Sequence, residues 1–129
     1  MTRHWTFRDY LTADGENPIF VWLSGLPKAA KVKINARIRY FERLEMLERP
    51  QVGHLDGQCD GLMELCIYGP DKVQYRPLCC IGPDDRDVTI LVGAIEKGSK
   101  FVPLSACATA QQRKQEIVMR GRTCEHNFD

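Results

Sequence analysis

Six cysteines, a run of cations between residues 28 and 43, and a few isolated titratable side chains are the residues whose types could do chemistry. The cysteines are Cys59, Cys66, Cys79, Cys80, Cys107 and Cys124, a number compatible with three disulfides or with a metal site. Their spacing argues against zinc. No two form a Cys-x-x-Cys pair, and the adjacent Cys79 and Cys80 lie in an apolar run, where successive strand side chains point to opposite faces. No metal and no cofactor is therefore expected. The first ten residues are too polar for an export signal, so the chain is read as cytoplasmic and its thiols as reduced.

The cations are Lys28, Lys31, Lys33, Arg37, Arg39 and Arg43, against the single acid Glu42. Formal net charge is only +1, so any affinity for nucleic acid must come from such local clustering. This face has two readings of about equal weight, a solvated helix surface or a surface that meets phosphates. Glu64 could be a general base, although a partner for a nearby cation is the commoner role. His126 could carry a proton near neutral pH or belong to a loose tail. A strand arginine such as Arg76 is, on pattern alone, most often half of an ion pair. Trp5, Trp22 and Phe41 read as core rather than as a base-stacking platform.

Positioning these residues falls to one domain over 1–129: at 43% apolar and 27% charged the chain is ordinary for a globular fold. A short strand over His4–Tyr10 is followed by a turn at 14–18 and a helix from Pro18 to about Leu26. A longer helix runs from about Lys28 to Leu47, with Ile34, Ile38, Phe41, Leu44 and Leu47 at three- and four-residue steps. Three strands follow at Leu62–Tyr68, Val73–Ile81 and Val88–Ile95, joined by short turns that imply an antiparallel meander. A last helix opens after Pro103 with Ser105 as N-cap and runs to about Met119; the tail from about residue 121 reads as flexible. The class is α+β, an antiparallel sheet of about four strands carrying two N-terminal helices and one C-terminal helix.

Several short motifs occur along these elements in a fixed order. Gly61-Leu62-Met63-Glu64-Leu65 opens the second strand, Tyr75-Arg76 lies on the third, and Leu91-Val92-Gly93-Ala94-Ile95-Glu96-Lys97 ends the fourth, with Lys100 and Pro103 beyond it. Ala110 sits in the last helix. In order and spacing this resembles the RelE/HigB toxins of type II toxin–antitoxin systems, in their phage Gp49-like branch, over roughly Pro18 to Ile117. The resemblance implies a RelE-like fold and a ribosome-dependent, metal-independent endoribonuclease acting on mRNA. It implies Arg76, Lys97 and Lys100 as catalytic residues and sets Arg120, Arg122 and His126 where relatives place a basic or aromatic residue over the substrate; Lys28, Lys31 and Arg37 of the basic helix face are the other candidate RNA contacts. The implied partners are a helix-turn-helix antitoxin, the ribosome and mRNA, with no membrane; oligomeric state is left open. Two positions depart from the pattern: Cys66 stands where the family usually has arginine, and Glu96-Lys97 replaces a lysine pair. They support a second reading, a toxin-fold binding module without cleavage. A third is a gyrase-directed toxin of the ParE type.

Overall fold

The computed structural model describes residues 2–129. In chain order its elements are β1 (Thr6–Tyr10), α1 (Pro18–Ser24), α2 (Lys28–Glu42), β2 (Val52–His54), β3 (Met63–Leu65), β4 (Ile67–Tyr68) and β5 (Gln74–Tyr75). They continue as β6 (Leu78–Ile81), β7 (Asp87–Val92), β8 (Ile95–Lys97), β9 (Lys100–Val102), α3 (Ala106–Arg120) and β10 (Thr123–Glu125). Among the described residues the fold is mixed α+β, with three α-helices and two sheets, one of six strands (β10-β1-β7-β6-β3-β2) and one of four (β4-β5-β8-β9).

The second sheet exists because each of the three long strands expected after Gly61 is bent in two. The first bends at Cys66, whose N–H still donates to Gln51 O in the β2–β3 register while Ile67 beyond it pairs with Tyr75 of β5. The second bends at Arg76-Pro77, where proline has no N–H to offer. The third bends at Gly93-Ala94, and a Cβ at Gly93 would collide with the ring of Trp22. The meander thus passes from one sheet to the other three times, and β2, β9 and β10 add strands at the edges. The sheet is not wholly antiparallel: β1 lies parallel to β7, with Phe7 opposite Val88.

Helices cover both faces of the six-stranded sheet. On one, Ile19 and Leu23 of α1 and Ala30, Ile34, Ile38 and Phe41 of α2 pack against Phe7, Met63, Leu65 and Ile90. On the other, Ala106, Ala110 and Ile117 of α3 pack against Tyr10, Leu62, Leu78 and Leu91. Helix α2 stops at Glu42, short of the expected Leu47, because Leu44 and Leu47 leave the helix and pack back on the core. Asn17 caps α1, its Oδ1 accepting from the N–H groups of Ile19 and Phe20 at 3.0 and 2.9 Å. Ser105, expected to cap α3, makes no such side-chain bond.

The segment expected to be a loose tail is ordered against the N-terminal strand. Gly121, at φ 64, closes α3 in the left-handed conformation and turns the chain back. β10 then pairs with β1, Asp9 opposite Cys124, and the His126 N–H donates to Phe7 O. Among the described residues, no helix is long and apolar enough to cross a membrane.

Candidate functional site

Arg76 sits at the bend between the two sheets, its N–H donating to Ala94 O at 2.8 Å across the matching bend. Tyr75 turns into the core beside Trp22, ring centroids 6.3 Å apart, so strand alternation sends Arg76 to the face that α3 covers. There Nε lies 3.6 Å from Glu64 Oε1 and 3.7 Å from Glu96 Oε1. Nη1 donates to Tyr75 O at 3.2 Å and Nη2 donates to Gln74 Oε1. The guanidinium is fixed from several sides and only 14% exposed.

Glu64 is the other centre of this cluster. On β3 it stands opposite Gly53 of β2 and Leu78 of β6. Its carboxylate is 8% exposed; Oε2 lies 3.4 Å from Arg49 Nη2, while Oε1 takes no hydrogen bond and is balanced by the Arg76 charge alone. One buried carboxylate is thus held between two guanidinium groups, an arrangement that fixes the geometry of both. Cys66, two residues on and on the same face, is half-buried. Burial pushes its thiol above the ordinary range, the Glu64 charge adds to this, and Arg76 and Arg49 oppose it.

The other residues expected at the site are placed elsewhere. Glu96 faces Arg76, so its neighbour Lys97 turns to the opposite face. Lys100, opposite Lys97 in the β8–β9 hairpin, goes with it. Lys28, Lys31 and Arg37 lie on α2, across the six-stranded sheet from α3. Lys28 and Lys31 line a groove of about 450 Å³ with Val32, Arg39 and Phe128, and Arg37 stacks over Tyr40 at 4.6 Å. Arg120 is exposed at the end of α3, and Arg122 is paired to Glu116 at 3.1 Å. His126, expected as an RNA contact, is in the core instead. Its side chain is 0% exposed, with Nδ1 2.7 Å from Asp9 Oδ1 and Nε2 2.8 Å from Asn35 Oδ1. A ring enclosed on both nitrogens does not reach a polynucleotide.

The thiols also differ from expectation. Cys59 and Cys107, Cα atoms 5.1 Å apart, are joined in a disulfide between the short 3-10 turn at 57–59 and the first turn of α3. The thiols were expected to be reduced, and spacing cannot show a meeting across 48 residues. Burial pushes all four remaining thiols up, Cys80 to about 11, so none is a ready thiolate at neutral pH. Sequence reasoning missed Arg49 altogether. The one available signal was Gly53, since a glycine inside a strand often marks a close approach of another group.

The sequence matches the family described as Phage derived protein Gp49-like (DUF891) over residues 21–115, a span that takes in Arg49, Glu64, Arg76 and Glu96. The chain belongs to this family, one generally associated with the toxins of toxin–antitoxin pairs. No curated protein and no solved structure matches it.

Proposed function

We propose that the chain is the toxin of a toxin–antitoxin pair and cuts translated mRNA on the ribosome in the manner of RelE/HigB enzymes. The observation that carries this reading is the guanidinium of Arg76, held rigid beside Glu64 inside the family-matching segment. In such a reaction the message supplies the nucleophile. A 2′-hydroxyl oxygen bonds to the adjacent phosphorus and gives up its proton. The bond from phosphorus to the 5′ oxygen breaks, and that oxygen is protonated as it leaves. Position and preorganised positive charge carry most of the catalysis, so the step needs no metal. Partners on this reading are the ribosome, its mRNA and a helix-turn-helix antitoxin that masks the surface.

One feature favours the second reading, a binding module without cleavage: Glu64 and Glu96 together offset the charge of Arg76, and Cys66 adds none. Expression separates the two. Wild type should arrest growth and cut translated mRNA, and Arg76→Ala, which releases the Glu64 carboxylate and with it the geometry of the cluster, should cut about a hundredfold more slowly. A harmless wild type with a toxic Cys66→Arg would favour the binding module. If both are harmless while folded and exposed to ribosomes, RNA cleavage is the wrong chemistry.

A further inference from the structure

Resting on the mRNA-cleaving reading, we infer that Arg49, on the loop between α2 and β2, is the guanidinium that touches the substrate phosphate, and that Glu64, itself oriented by Arg76, holds it in place. The two arginines share one carboxylate but differ in what they leave free. Arg76 is 14% exposed and directs its nitrogens at Glu64, Glu96, Gln74 and the Tyr75 carbonyl. Arg49 is 65% exposed, and Glu64 is its one carboxylate partner among the described residues. Its planar fork therefore keeps donors for an anion from solvent, the geometry that suits two oxygens of one phosphate.

Its seat is built rather than incidental. The residue opposite Glu64 on the neighbouring strand is Gly53, and a Cβ there would come within 2.6 to 2.9 Å of Arg49 Nη2, Cζ and Nη1. The guanidinium lies directly on bare backbone, in space that any other residue would fill. The buried carboxylate below it anchors Nη2 and leaves the outer edge to solvent. Arg49 thus brings to the surface a positive charge with open donors, which Arg76, enclosed, does not.

The test uses the purified full chain and a fluorescein-labelled single-stranded RNA oligonucleotide, with binding followed by anisotropy over a range of salt. Loss of one phosphate contact flattens the plot of log affinity against log salt by about 0.7 on single strands. Arg49→Ala should show that flattening with weaker binding, and Arg49→Lys, which keeps the charge, should restore most of the slope. Gly53→Ala keeps every charge but pushes the guanidinium off its seat, so its binding should also weaken. Unchanged affinity and slope in Arg49→Ala, full wild-type binding by Gly53→Ala, or no RNA binding by wild type would each overturn the inference. Cleavage of ribosome-bound mRNA, assayed alongside, tests the underlying reading separately. Cutting that survives Arg49→Ala sinks the inference alone, and Arg49-dependent binding without any cutting by wild type sinks the reading alone.

Discussion

Asp9 and His126 lie 117 positions apart in the chain, yet each side chain is 0% exposed against the other. Asp9 also accepts from Asn17 Nδ2 at 2.9 Å, and Asn35, the second partner of His126, donates to Phe128 O at 3.3 Å. Removing the imidazole leaves buried polar atoms of Asp9 and Asn35 without that hydrogen-bond partner, which typically costs about 1–3 kcal/mol. His126→Ala should therefore shift the urea midpoint by that order; a loss well under 1 kcal/mol, with slowed RNA cleavage, would return His126 to the role of proton carrier. Glu42 gives a second expectation. Burial raises its carboxyl above the ordinary 4.5, with the Arg3 charge opposing. The folded state then binds the proton more tightly than the unfolded one, so this residue's contribution to stability falls as pH rises from 4.5 through the raised value. Glu42→Gln removes that slope and should gain on wild type across the same window in paired urea titrations. Parallel curves would refute it.

At the scale of elements, the disulfide ties the 3-10 turn to α3 and closes a loop of 48 residues that contains β3 to β9. Loops of this size stabilise by about 2–4 kcal/mol, so a Cys59→Ser, Cys107→Ser double variant should melt several degrees lower. Thiol counting in denaturant should find four free thiols in the oxidised chain; six would dissolve the bridge and restore the reduced state first expected. The helices were legible because each carries its own evidence: Ile34, Ile38 and Phe41 mark the buried stripe of α2 without reference to any other segment. The bent strands were not. Pro77 and Gly93 are visible as interruptions, but what each permits depends on remote partners, Leu65 for the Pro77 carbonyl and Trp22 for Gly93. Of the site, Arg76 and the flanking motifs could be read locally. The Arg49–Glu64 contact and the placement of Lys97 away from Arg76 follow only from strand register.

Across the whole molecule, two differently charged surfaces result. Helix α2 turns Lys28, Lys31 and Arg39 outward on one side of the six-stranded sheet, while the Arg49–Glu64–Arg76 cluster lies on the other. The basic face of α2 and the Arg76 cluster are therefore separate surfaces, and a partner covering α2 could leave the cluster open. Strand order has a further consequence, for timing. β1 is flanked by β7 and β10, so during synthesis it has neither neighbour until Asp87–Val92 has been made, and lacks the second until Thr123–Glu125 follows. Until then Asp9 waits without its imidazole and β1 keeps an unpaired edge. Five of the six strands can therefore pair once Val92 is made, while the outer edge of β1 stays open until β10 follows, an interval in which another protein could engage that edge.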